Sequence, residues 1–203
     1  GSVLLEQPNF NRSKQEGHNI KTGLDLFLNK NTTLGLVFTG GIFNRRATST
    51  SSINWMDPSY HIDSSINTWG DNNRKFKRGG VNVNGRFKIN ESSELAVDLD
   101  YVNFTINGDQ QYQTQLVVTG SDIEVTKGNI PSKLNIITAK ADYSKRYKNF
   151  LLETGLKTAI NKTDNLAEYY LAINNNPWQA DLRRSNHFLY NEIFVQIFAN
   201  MRY

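Results

Sequence analysis

Alternation of apolar and polar residues with a period of two constrains this chain more than any other feature. It recurs in seven runs. Ile20, Thr22, Leu24, Leu26 and Leu28 share one face, with Lys21, Gly23 and Asp25 on the other. Leu34, Leu36, Phe38 and Ile42 repeat the pattern. Val81, Val83, Phe87 and Ile89 oppose Asn82, Asn84, Arg86 and Lys88, and Leu95, Val97, Leu99 and Tyr101 oppose Asp98 and Asp100. Ile137, Ala139, Ala141 and Tyr143 face away from Lys140 and Asp142; Leu152, Leu156 and Ile160 face away from Glu153 and Lys157. The last run, Asn186 to Tyr203, is aromatic and β-branched throughout. Such runs are the signal of half-exposed strands, and no window carries a helical period.

The connections between runs alternate in length. Lys30-Asn31-Thr32, Glu91-Ser92-Ser93 and Lys148-Asn149 are short enough to be hairpin loops. Between them lie long links at 45–74, 107–133 and 163–185, read as loops, and 1–19 reads as a loop or edge segment of the same single 1–203 domain. Short turns therefore gather at one end of an up-and-down antiparallel meander and long links at the other. Within the middle link, Tyr112 to Thr119 and Ile123 to Thr126 read as an extra hairpin. Matching of faces predicts registers, because a slip of one residue sets apolar side chains against polar ones. The first hairpin is expected to pair Leu28 with Leu34, Leu26 with Leu36 and Phe27 with Gly35. The second pairs Ile89 with Leu95 and Arg86 with Asp98. The third pairs Tyr147 with Phe150, Ala141 with Leu156 and Lys140 with Lys157.

Alternation does not say which face is inside. A soluble lipocalin-like carrier turns the apolar face inward; a membrane barrel turns it to lipid and lines its lumen with polar residues. The apolar stretches run about nine to eleven residues, the tilted span of a bilayer core. Aromatic residues (Phe43, Tyr101, Phe104, Tyr143, Tyr147, Phe150) sit near their ends, where interfacial girdles lie. These features predict an all-β chain that forms part of a transmembrane barrel in a bacterial outer membrane, with about seven long strands. Seven is odd, whereas bacterial barrels are even, so further strands are expected. Composition excludes other classes. There is no cysteine for a disulfide, thiolate site or nucleophile. The net charge of +4 is mixed along the chain rather than gathered in a basic arm, which speaks against nucleic acid.

Four segments carry a family resemblance: Gly23–Gly40 (GLDLFLNKNTTLGLVFTG), Ile137–Asn149 (ITAKADYSKRYKN), Leu152–Asn165 (LETGLKTAINKTDN) and Ser185–Met201 (SNHFLYNEIFVQIFANM). From about Ile20 to Tyr203 the chain resembles the barrel portion of TonB-dependent receptor-like outer-membrane proteins of the Bacteroidetes type. The resemblance implies a barrel of about twenty-two strands, closed by strands beyond these. It also implies a plug domain and a periplasmic energy-coupling protein as partners, and nutrient uptake as the function. No segment here resembles a plug. A surface-anchoring or adhesion barrel is the alternative within the membrane class.

Catalytic chemistry finds no pattern, and the expectation is a non-enzyme without metal or cofactor. His18, His61 and His187 are the only imidazoles. His61 with Asp57 and Asp63 could make a metal corner but lacks a second nearby histidine. Asn82, Asn84, Arg86, Lys88, Asp98, Asp100, Lys140, Asp142, Glu153 and Lys157 are expected to line the lumen. In the long links Trp55, Tyr60, Trp69, Tyr169, Tyr170 and Trp178 are the candidate contacts for an unidentified external ligand, since exposed rings can stack on sugars or flat molecules.

Overall fold

The computed structural model describes residues 4–117 and 123–203, and within them the chain is one antiparallel sheet. The strands are β1 (Leu4–Glu6), β2 (Asn9–Asn29), β3 (Thr32–Met56), β4 (Ile62–Asn90), β5 (Ser93–Leu116), β6 (Ile123–Asn129), β7 (Ser132–Arg146), β8 (Leu151–Ile173), β9 (Gln179–Ala180) and β10 (Asn186–Arg202). They form seven paths up and down. β1 and β2 both pair with β3 on either side of Pro8, which cannot donate to a ladder. β6 and β7 likewise make one path between β5 and β8, interrupted at Pro131. Gly108 and Ile130 exchange backbone hydrogen bonds across that break, so the ladder runs through it.

The links read as loops are mostly strand. β3 and β4 run on until only residues 57–61 separate them, β5 continues to Leu116, and β8 continues to Ile173. Residues 1–19 are likewise strand, apart from residues 7–8 and the undescribed 1–3. The reason is physical. Beyond the apolar stretches both faces of the sheet meet water, so Ser, Thr, Asn and Gln occupy both and the alternation disappears. The backbone ladder needs no such pattern. The extra hairpin is therefore the continuation of β5 and of the β6–β7 path, not a separate projection; the part of it at 118–122 lies outside the described residues.

The turns correct two registers. Asn29 pairs with Thr32 and Asn90 with Ser93, and a bulge sits just before each. Leu26 consequently faces Leu34, Asp25 faces Gly35, Phe87 faces Leu95 and Asn84 faces Asp98. Each is a shift of two residues from expectation, so every side chain keeps its face. The cause lies in the asparagines: Asn29 Oδ1 accepts the Asn31 N–H at 2.8 Å and Asn90 Oδ1 accepts the Ser92 N–H at 3.0 Å. These side-chain turns tighten each loop to two residues and displace Leu28 and Ile89 into the bulges. The third hairpin has the expected register, with Ala141 opposite Leu156 and Lys140 opposite Lys157.

Reading across the ladders gives continuous rows. One apolar row is Leu26, Leu34, Gly85, Val97, Ala141, Leu156 and Ile197; the next is Leu24, Leu36, Val83, Leu99, Ala139, Thr158 and Val195. The row behind them, on the opposite face, is Asp25, Gly35, Asn84, Asp98, Lys140, Lys157 and Gln196. A single layer has no core, and no large side chain among the described residues is fully buried. The accessible surface is 14507 Å² for a 23.1 kDa chain. A compact soluble protein of that mass would expose only about 9,700 Å². Much of the excess is apolar: Leu24, Leu26, Leu99, Leu156, Ile193 and Ile197 are all about half exposed or more. β2 pairs only with β3, and β10 only with β8, so the sheet has two open edges.

Candidate functional site

All ten polar residues expected in the lumen lie on one face of the sheet, opposite the apolar rows. They are built into a hydrogen-bonded lattice. Asn82 Nδ2 donates to Asp100 Oδ1 at 2.8 Å and also to Asp98, while Asn84 Nδ2 donates to Asn82 Oδ1 at 2.8 Å. Lys140 pairs with Asp142 on its own strand, and Arg86 Nε pairs with Glu94 Oε1 at 3.1 Å instead of with Asp98. The shifted second register explains this, because it places Arg86 opposite Ala96. Glu153 Oε2 accepts from Asn200 Nδ2 at 3.3 Å and pairs with Arg202 Nη2 at 3.4 Å. Lys88 and Lys157 have no ion-pair partner among the described residues. The wall therefore offers both charge signs, with amides between them, to whatever fills or crosses the space it bounds.

Glycines shape the same face. Gly17, Gly70, Gly128 and Gly155 lie directly opposite Phe43, Tyr112, Tyr169 and Phe198. In each case a Cβ on the glycine would come within 2.8 Å of the ring. The rings lie over bare backbone, covering the ladder where a glycine would otherwise leave it open. The one such pair expected from the sequence, Phe27 over Gly35, is not formed; Phe27 faces Thr33, and Asn84 lies over Gly35.

The six candidate ligand-binding aromatics do not form one cluster. Trp55 sits in β3 between Leu5 and Ser64, Trp69 in β4 between Thr50 and Gln113, and Tyr60 in the 57–61 turn at a φ of 65°. Tyr169 and Tyr170 point to opposite faces. Tyr169 lies over Gly128, its hydroxyl accepting from Gln110 Nε2 at 2.8 Å. Tyr170 and Trp178 do come together, through a residue that sequence reading did not single out. Lys127 Nζ lies 4.3 Å from the Trp178 ring centre and 5.2 Å from that of Tyr170. A groove of about 610 Å³ beside them is lined by Arg46, Asp71, Asn73, Gln111, Lys127 and Tyr170. Only the pairing of β6 with β8 brings Lys127 to Tyr170, so nothing local in the sequence could reveal it.

His61 Nδ1 lies 3.3 Å from Asp57 Oδ2, within a turn whose backbone N–H groups also bind that carboxylate. Donation from the His61 N–H, then from the Ser59 N–H and the His61 ring, holds the Asp57 carboxyl below its ordinary range. Asp63 does not join them in a metal-binding group among the described residues. His187 Nε2 lies 2.8 Å from Asp164 Oδ1.

A single-layer antiparallel sheet, apolar on one face and polar on the other, with asparagine-bound short turns at one end, is a stretch of transmembrane β-barrel wall. In such a wall the apolar face meets lipid and the polar face looks inward. Residues 85–203, more than half of the chain, match the outer membrane protein beta-barrel family, and the chain belongs to that family. Its place is the bacterial outer membrane, which removes the soluble-carrier reading. No curated protein matches the sequence. Solved structures similar to it include the translocator domain of the autotransporter NalP from Neisseria meningitidis, at 11% identity over 99% of this chain and 87% of that one, with a TM-score of 0.17. Acinetobacter baumannii CarO gives 9%, 90%, 96% and 0.19 in the same terms. The Escherichia coli ferric-catecholate import receptor Fiu gives 9%, 92%, 47% and 0.21. Likenesses this distant carry no argument about the present chain.

Proposed function

We propose that the chain is part of the wall of a wide outer-membrane receptor that takes up a nutrient, and that it has no catalytic role. The observation that carries this reading is the openness of the arc. β2 and β10 make no contact with each other, so seven paths do not close a small barrel. An eight-stranded barrel has room for its own side chains or one small ligand, whereas barrels with many more strands enclose a channel or a plugged lumen. The inward face suits a wide space, being charged and amide-rich. Further strands complete the ring, a plug domain seats against the Asn82–Asp98–Lys140 lattice, and a periplasmic energy-coupling protein drives release. The groove beside Lys127, Tyr170 and Trp178 stands beyond the apolar rows at the end with the long strands, and serves external capture of a ligand with polar groups and a flat face.

Uptake is tested in cells. Deleting the intact protein should abolish growth on a limiting nutrient. Deleting the energy-coupling protein, or adding a protonophore, should give the same defect. Growth that survives both treatments would show a passive pore or an anchoring barrel instead.

A further inference from the structure

The apolar rows end abruptly on the outward face and give way to basic residues. Ladder pairing places Asn103, Asn135 and Lys162 in one row and Lys77, Thr105, Lys133 and Asp164 in the next. Lys75 stands two residues beyond Lys77 on the same face. Lys75, Lys77, Lys133 and Lys162 are all exposed, and none has an ion-pair partner among the described residues. The outward acids beside these lysines are Asp164, opposite Lys133 and held by His187 at 2.8 Å, and Asp109, two residues beyond the Asn107 that faces Lys75. Lys77 and Lys133 flank the single strand β5, whose outward residues at this height are neutral. Their amides and hydroxyls form a connected floor: Asn103 Nδ2 donates to Asn135 Oδ1 at 2.8 Å, the Tyr101 hydroxyl donates to the same oxygen at 3.1 Å, and Thr105 Oγ1 donates to Asn103 Oδ1 at 3.4 Å.

From this placement we infer that the outward face of β4, β5, β7 and β8 binds the phosphorylated sugar head group of a glycolipid in the outer leaflet. Four lysines supply the phosphate contacts and the Asn103–Thr105–Asn135 floor meets the sugar hydroxyls. Position decides for a lipid over a free anion. Lys162 lies two residues beyond Ile160 on the same face, so its charge sits at the hydrocarbon boundary, where a head group is anchored by its own chains. This is the end reached by the long strands, which in outer-membrane barrels is the external one. The opposite margin differs: there the outward Lys145 stands 5.0 Å from the Tyr147 ring centre, and the described residues hold no comparable row of unpaired cations. The inference rests on membership of the outer-membrane family and is independent of any uptake role.

The test uses the intact outer-membrane protein, reconstituted in phosphatidylethanolamine bilayers doped with bis-phosphorylated lipid A, with chemically dephosphorylated lipid A, or with inorganic phosphate. Lipid retained per protein is read by native mass spectrometry. The protein should retain the bis-phosphorylated lipid, not the dephosphorylated one, and free phosphate at millimolar concentration should not displace it. Each Lys→Gln change among Lys75, Lys77, Lys133 and Lys162 should lower retention about fivefold, the effect of one cation near an anionic surface. The inward Lys157→Gln should leave lipid retention unchanged. All four changes combined should abolish retention, and if that fourfold variant fails to fold, the Lys77→Gln/Lys133→Gln pair carries the test. Equal retention by the outward variants, or equal retention of the dephosphorylated lipid, overturns the inference. Displacement by free phosphate would overturn it too, assigning the lysines to a soluble anion instead.

Discussion

At the level of single residues, two faces of one strand obey opposite rules. Leu156 stands in the middle of the lipid-facing rows, between Ala141 and Ile197. Replacing it with Arg should cost roughly 2–4 kcal/mol, the cost of a cation near the bilayer midplane. Thr138→Arg, on the inward face between Asp100 and Ala159, should change stability by no more than about 0.5 kcal/mol. Denaturant titrations of the lipid-reconstituted protein measure both. The glycines make a second distinction. A Cβ at Gly155 would stand 2.4 Å from Phe198 Cε1 and 2.5 Å from Asp142 Oδ1. Gly155→Val should therefore cost about 1–3 kcal/mol by overpacking. A double-mutant cycle with Phe198→Ala should recover part of that loss, because the ring is the larger obstacle. Additive effects would mean that the ring does not cover this backbone.

The elements are joined by turns that use different chemistry at the two ends. At the short end, Asn29 and Asn90 each bind the N–H two residues on, and this sets the register of the strands after them. Asn90→Ala should cost about 0.5–1.5 kcal/mol, the net worth of such a hydrogen bond. It should also allow the β4–β5 ladder to slip by two residues into the longer-looped register read from the sequence; cross-linking between cysteines at positions 85 and 97 would detect that slip. At the other end the 57–61 turn depends on ionised Asp57. A carboxyl whose pKa is depressed on folding contributes stability that is present above its unfolded value and lost as pH falls through the folded one. The turn should thus keep its structure down to the ordinary value of 3.8 and open only in stronger acid. Trp55 fluorescence should report the opening, and Asp57→Asn should remove its pH dependence.

Across the whole molecule the unmet demand is at the edges. β2 and β10 each carry one row of backbone groups with no partner among the described residues, a condition that hydrocarbon penalises by several kcal/mol per group. In detergent micelles, hydrogen exchange should find every second amide of β2 and β10 unprotected while β4 and β5 are protected throughout. Protection along both edges would show that the sheet closes on itself or pairs with another copy. The alternation of apolar and polar residues established the strands and which residues share a face, the short turns gave their up-and-down order, and the length and aromatic ends of the apolar stretches gave the membrane. All of these are local properties. The third register was legible for the same reason, since Tyr147 and Phe150 bracket a loop with no bulge. The first two were not, because an asparagine side chain displaced one residue into a bulge and no hydrophobic pattern records that. The extent of the strands beyond the bilayer was hidden as well, since a ladder with water on both faces has no preferred alternation. The meeting of Lys127 with Trp178, and the row of lysines gathered around β5, exist only in the folded sheet: residues far apart along the chain become neighbours when hydrogen bonding between strands fixes their height.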